Sequence, residues 1–289
     1  MISTIISYCT NDYRFLDLCI KAVAPFSSEI LIPVCTHTFD GTEEDRERLH
    51  QSYGEHPNCS FLEYAYGTPY GLFPDFEKED EAHVWHGTSR YIGAAYAKGE
   101  YLLFIDVDEI VDTERFMAYL KAVNLSLYEA IRFQMHFYFR ESRYQAVSTP
   151  NYALMVKRGA VALELFLDPL ERKGIFSSVR GSKLDHALGL DKEPLFHHYS
   201  WVRSQEELYK KVGMWGHRHD KDFTSLLKEE FSAPFRGRDL IYELHYKEVE
   251  PVHDPLKVSL ERKHFSPPFP NVRTINQMTL KRELLSQWE

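Results

Sequence analysis

Hydrophobic and polar positions divide this chain into short elements of two periods. Residues 2–9 are mostly apolar and β-branched and read as a strand that starts the fold at once. In 12–24 the apolar residues Phe15, Leu16, Cys19, Ile20 and Val23 recur at helical spacing, and Pro25 stops that helix. Residues 29–35 give a second strand, in which Pro33 implies a sheet edge or a bulge. Strand, helix and strand in this order imply a parallel pair.

Residues 40–83 are acidic and irregular, with a short helical stretch at 43–53 and an aromatic loop at 64–73. A helix with small residues (Gly93, Ala94, Ala95, Ala97) follows at 88–98, and Gly99 is placed to end it as a C′ residue. The apolar run Tyr101-Leu102-Leu103-Phe104-Ile105 then reads as a buried strand. Residues 116–123 are expected to be helical, and 130–140 and 153–157 extended. After a stretch with no clear period, 195–201 is a short strand. Ser204 and Glu207 then form a capping box for a helix whose buried stripe is Leu208, Val212 and Trp215. A proline-rich segment, Pro267-Pro268-Phe269-Pro270, precedes a last amphipathic stretch at 275–288. The pattern predicts an α/β fold with a mixed sheet flanked by helices, a main domain at 1–250 and a helical C-terminal extension at 251–289.

Composition changes this picture little. The chain has 289 residues, 44% hydrophobic and 27% charged, as ordinary soluble proteins do. A net charge of -9 argues against an exposed nucleic-acid surface. No apolar run is long enough to span a membrane, and the first residues lack the features of a signal peptide. The four cysteines (Cys9, Cys19, Cys35, Cys59) show no CxxC spacing and read as buried thiols in a reducing compartment. The expected location is cytoplasmic, with any membrane contact peripheral and at the inner face.

The candidate chemistry lies at the end of the apolar run, where Asp106-Val107-Asp108 leaves the sheet. In open α/β sheets, ligands bind just outside the carboxyl ends of strands. Side chains two apart in extended chain share a face, so Asp106 and Asp108 are expected to converge on one cation. Hard oxygen donors suit Mg²⁺ or Mn²⁺, and such an ion would naturally hold a diphosphate. The turn after the first strand, Cys9-Thr10-Asn11-Asp12, lacks the glycines of a dinucleotide fingerprint.

The stretch from Ser89 to Glu109 runs from Arg90 through Gly93-Ala94-Ala95 and Ala97-Lys98-Gly99-Glu100 into the apolar strand and its Asp-x-Asp. It resembles the core signature of family 2 glycosyltransferases of the GT-A fold. It departs from that signature with Tyr91 where an Asn commonly follows the Arg, and with the long 40–83 segment. Downstream, His198-Tyr199, Ser204-Gln205-Glu206-Glu207 and Lys210-Lys211 are similar to an element of family 2-like and family 92-like glycosyltransferases.

These resemblances imply a GT-A-type nucleotide-diphospho-sugar transferase of the hexosyltransferase type. Such an enzyme uses Mn²⁺ or Mg²⁺ and moves a sugar to a hydroxyl of a glycan, lipid-linked or protein acceptor. They imply Asp106, Asp108 and His198 as metal ligands, and Arg90, Arg203, Lys210 and Lys211 as diphosphate contacts. Asn11 and Asp12 fall near the nucleotide, unless they simply cap the following helix. Inverting transfer needs a general base. Glu164, Asp168, Glu171 and Asp185 are the candidates, with Asp168 and Glu171 preferred.

Alternatives accompany each of these. His197 precedes His198 on the same strand and should face the other way. His217 and His219 form a rival His-x-His pair, of the kind zinc takes. Tyr66, Tyr70, Phe73 and Trp201 would shape a sugar pocket or simply pack the core. The Asp106/Asp108 pair also resembles the first motif of haloacid dehalogenase-like phosphatases, although Ile110 stands where that motif expects Thr. A module that binds nucleotide sugar or glycan without turnover is the third reading.

Overall fold

The computed structural model describes residues 1–68, 81–148, 152–162, 165–166 and 170–276, with the backbone alone at 81–84. The chain opens with β1 (Ile2–Ser7), α1 (Tyr13–Val23), β2 (Ser27–Cys35), α2 (Arg46–Glu55) and β3 (Ser60–Tyr64). Next come α3 (Glu81–Tyr96), β4 (Tyr101–Asp106), β5 (Glu109–Val111) and α4 (Thr113–Ala122). Four strands follow around one helix: β6 (Ala130–Phe139), β7 (Glu141–Ala146), β8 (Tyr152–Lys157), α5 (Glu171–Ser178) and β9 (Lys183–Ala187). The last elements are β10 (Phe196–Trp201), α6 (Gln205–Met214), α7 (Phe223–Glu230), β11 (Tyr246–Glu248) and β12 (Val272–Ile275).

The α/β class and the helix-flanked mixed sheet expected from the sequence are both present. Nine strands run in the order β11-β7-β6-β8-β4-β1-β2-β3-β12; β9 and β10 join at β6, and β5 pairs with β10. β1 is parallel to both β2 and β4, as the strand-helix-strand opening requires, and β8 inserts antiparallel between β4 and β6.

Strand alternation decides which helix covers which face. Leu103 and Ile105 of β4 point into a core shared with Phe15, Leu16, Cys19 and Ile20 of α1. Leu102 and Phe104 point to the other face, against Ile92, Ala94 and Ala95 of α3. Each large apolar side chain sealed in this way contributes roughly 1.5–3 kcal/mol. Because α1 and α3 lie on opposite faces, β1 and β4 flank the point where the winding of the sheet reverses, and there a crevice opens.

Several expectations are refined. Pro33 lies on β2, between β1 and β3, and so not at a sheet edge. It is tolerated because β1–β2 pairing ends at Ile5↔Leu31, while Pro33 still pairs with Leu62 on the β3 side. Helix α3 begins earlier than its periodicity indicates and ends at Tyr96. Gly99 does not have the positive φ of a C′ residue. It is glycine because a Cβ there would lie 2.6 Å from the backbone nitrogen of Ser3. The expected C-terminal extension returns to the main sheet at β12, parallel to β3; the part beyond 276 lies outside the described residues.

Gly93 packs α3 flush on the sheet, where a Cβ would collide with Ile5 and come within 3.2 Å of Pro33. We expect Gly93→Val to cost about 1–3 kcal/mol by forced overpacking, read as a lower urea midpoint with an unchanged slope.

Candidate active site

The crevice at the ends of β1 and β4 widens into a cavity of about 660 Å³, a normal size for a small-molecule site. Asn11, Asp12, Asp106, Asp108, His198 and Lys211 all line it. One wall comes from the ends of β1 and β2, with Tyr8, Cys35, Thr38 and Glu44. The opposite wall is aromatic, with Trp201, Trp215, Phe223 and Tyr242.

Asp106 is the last residue of β4. Its N–H donates to Oε2 of Glu109 at 2.9 Å, so the chain turns sharply at Val107-Asp108. The same-face argument therefore fails, because Asp108 is not in the strand. Val107 does pack inward, at 1% exposure, but the two carboxylates diverge into separate cation sets. Asp106 faces Arg90 Nη2 at 3.5 Å and Arg172 Nη2 at 3.4 Å. Burial alone would raise its pKa; Arg172 and Arg90 outweigh that and hold it below the usual carboxylate range.

Asp108 faces His198 Nε2 at 3.5 Å, Arg203 Nη2 at 3.3 Å and Lys211 Nζ at 3.6 Å. Burial again pushes the carboxyl up, and Lys211, His198 and Arg203 override it to leave a strongly acidic group. His198 reaches this place by register: antiparallel pairing sets it opposite Glu109, and the Tyr199 N–H donates to the Asp108 carbonyl at 2.8 Å. The three expected ligands thus resolve into a close pair, Asp108 with His198, and a separate Asp106. Among the described residues, the one group of three His, Cys, Asp or Glu ligand atoms within 4.8 Å of one another is His86, Glu171 and His217.

The expected cationic residues also divide. Lys211 lines the cavity, and Lys210 is exposed on the outer side of α6. Arg90 and Arg203 lie behind the carboxylates at 1% and 2% exposure. Arg90 donates to Glu171 Oε2 at 2.8 Å. Arg203 donates to the Asn11 carbonyl at 3.1 Å and the Ser200 carbonyl at 2.9 Å, and it is ion-paired with Asp12 and Asp108. Both act as buried counter-ions that set where the acids point. The capping box that starts α6 is present as expected, and Leu208 and Val212 are buried; Trp215 is only half-buried and turns to the cavity.

Glu171 lines the cavity with its backbone at φ +50°. Asp185 is elsewhere, held by Arg132 on β6 at 2.7 and 2.6 Å, and Glu164 and Asp168 lie outside the described residues. His217 faces the cavity, whereas its expected partner His219 is exposed. Tyr66 stacks on Trp85, centroids 4.6 Å apart, while Tyr70 and Phe73 lie outside the described residues. All four cysteines are free thiols, and burial pushes each of them up in pKa.

Three residues of the site carried no signal in the sequence. Glu109, at 0% exposure, accepts from Arg172 Nη1 at 2.5 Å and Nη2 at 2.6 Å, an arginine that the sequence did not single out. His86 stands alone on α3 with no motif around it.

No protein-family model matches the sequence, and no curated protein matches it. Several crystal structures overlap the chain in part. S. aureus TarS 1-349 does so with a TM-score of 0.41 at 14% identity, over 73% of this chain and 63% of that one. The chain therefore spans less than two thirds of the TarS fragment. Glucosyl-3-phosphoglycerate synthase from Mycobacterium tuberculosis, in complex with Mn²⁺, UDP-glucose and phosphoglyceric acid, gives 0.40 at 14% identity, over 89% and 90% of the two chains. A nucleotidyl transferase from Methanothermobacter thermautotroptrophicus gives 0.36 at 11% identity, over 65% and 88%. Overlaps of this depth single out neither a family nor an activity.

Two outcomes follow from the site's electrostatics. Arg172→Ala strands the Glu109 carboxyl in the interior and should cost about 3–5 kcal/mol in urea unfolding. Pairing Arg172→Met with Glu109→Gln should recover part of that loss. On the far side of β10, His197 is buried against Tyr138 Oη at 2.8 Å, and burial pushes it from 6.5 down to about 3. The unfolded chain takes up this proton first, so stability is complete above the unfolded value and is lost as pH falls through the window between the two. The urea midpoint should drop from about pH 7 to about pH 5, and drop less in His197→Gln.

Proposed function

We propose that this chain is a GT-A-type glycosyltransferase of the hexosyltransferase kind, which moves a sugar from a nucleotide-diphospho-sugar to an acceptor hydroxyl with inversion. One observation carries the reading. The Asp-x-Asp lies at the carboxyl end of β4, on the cavity at the switch point of the sheet, with His198 and Lys211 beside Asp108. The resemblance of Ser89–Glu109 and of the His198 element to family 2 enzymes supports it from the sequence side.

Asp108 and His198 are the residues that would hold Mn²⁺ or Mg²⁺. Their ligand atoms lie 3.5 Å apart, close to the roughly 3 Å between adjacent ligands in an octahedral shell of about 2.1 Å bonds. A divalent ion supplies a Lewis acid for the negative charge that builds on the departing diphosphate. The chain's own residues do the rest. Lys211 places an ammonium at the same point, where a fixed cation is worth most as charge develops. Asn11 and Asp12 on the β1 wall suit the nucleoside, and the aromatic wall suits the C–H faces of sugar rings. Arg90 and Arg203 position acids and do not meet the diphosphate directly. Glu171, oriented by Arg90 on the cavity lining, is the candidate to take the acceptor proton, with Asp168 the alternative.

A thermal-shift screen of nucleoside diphosphates and nucleotide sugars, with and without Mn²⁺, tests this directly. Ligand at about 100 times its Kd should add about 2.7 kcal/mol of stability, with the gain dependent on Mn²⁺ and lost in Asp108→Asn and His198→Gln. Absence of any nucleotide-dependent shift in the wild type would sink the reading.

A further inference from the structure

His86, Glu171 and His217 come from three separate parts of the chain: α3, the start of α5, and the turn after α6. Their ligand atoms nevertheless lie within 4.8 Å of one another on the cavity wall. We propose that these three residues form a second divalent-cation site, of the zinc class, distinct from the Asp108–His198 pair.

Three observations argue for it. Two imidazoles and one carboxylate are a donor set that zinc takes with a fourth position left open. Edges of a tetrahedral site with bonds of about 2.0–2.1 Å are roughly 3.3 Å long, so an ion would draw the three side chains in by on the order of an ångström. Around them stands the support that metal ligands need. His217 Nδ1 lies 3.0 Å from Asp220 Oδ2, a carboxylate partner of the kind that orients a ligating ring. Glu171 accepts from Arg90 through Oε2, a hydrogen bond of the sort that orients ligating carboxylates. Glu171 also holds φ +50°, a left-handed conformation that costs a non-glycine residue energy and that clusters at functional sites.

Asp108 and Asp106 are served by other cations, so the two sites do not compete for ligands. Arg90 joins them, touching Glu171 on one side and Asp106 on the other. The existence of the second site does not depend on the transferase reading; its use does. Within that reading, an ion held by these three residues would border the cavity and would acidify an acceptor hydroxyl, whose proton would pass to solvent. Glu171 would then act as a ligand in place of the base role given to it above.

The test is Co²⁺ titration of the full chain, followed by calorimetry and by the intense visible absorption of tetrahedral cobalt. Wild type and Asp108→Asn should both bind one Co²⁺ with that absorption, displaceable by Zn²⁺. His217→Ala should abolish it, and Asp220→Asn should weaken binding about 10–100-fold. His86→Gln is a second ligand variant, and circular dichroism confirms that each variant is folded. Cobalt absorption that survives in folded His217→Ala and His86→Gln overturns the proposal. Loss in Asp108→Asn alone overturns it too, since the ion would then sit at the Asp-x-Asp. A protein that binds Co²⁺ here but shows no nucleotide-dependent shift keeps this site and loses the transferase reading; the reverse pattern does the opposite.

Discussion

The guanidinium of Arg203 is sealed from water, and no pH the protein meets can discharge it. Burying such a charge costs several kcal/mol unless its donors are satisfied. Arg203 meets the condition by gathering four acceptors from three places. Asp12 and the Asn11 carbonyl come from the loop after β1, Asp108 from the turn after β4, and the Ser200 carbonyl from the end of β10. The face of Phe15 on α1 lies 4.7 Å below it. The three segments, all bordering the cavity, are thereby fixed to one planar fork, whose bidentate geometry lysine could not reproduce. Lys211 and His198 lead in keeping Asp108 strongly acidic, and Arg203 adds to them from underneath.

The same logic recurs across the site. Arg172 grips Glu109 and reaches Asp106, and Arg90 grips Glu171 and reaches Asp106 from the other side. The carboxylates are fixed by buried arginines, with Lys211 presented at the surface of the cavity. A cavity built in this way changes little when a ligand enters, which is the preorganisation that charge stabilisation requires.

Much of this was legible beforehand, and the reasons for the rest are specific. Continuous apolar runs gave β1, β2 and β4, and the helical stripe of Phe15, Leu16, Cys19 and Ile20 gave α1, because burial follows pattern directly. The Ser204 and Glu207 cap was readable because its two hydrogen bonds are local. The divergence of Asp106 and Asp108 was not, since it depends on the turn that Glu109 locks by accepting from the Asp106 N–H. Arg203 was expected at the diphosphate, and its burial was not legible because sequence does not reveal which arginine is buried. Arg172 and His86 stand in no motif, and only tertiary packing brings them to the cavity.

Strand β12 bears on how the chain comes to be folded. Its Val272 pairs with Phe61 of β3, more than two hundred residues earlier in the sequence. During synthesis the β3 edge is made early and stays uncovered until residues 272–275 have emerged. An uncovered parallel edge is sticky toward any other extended chain, and pairings of such separation form slowly. Strand β12, the last among the described residues, therefore acts as a latch on the β3 edge, and the hazardous interval in this protein's life falls just before that latch closes.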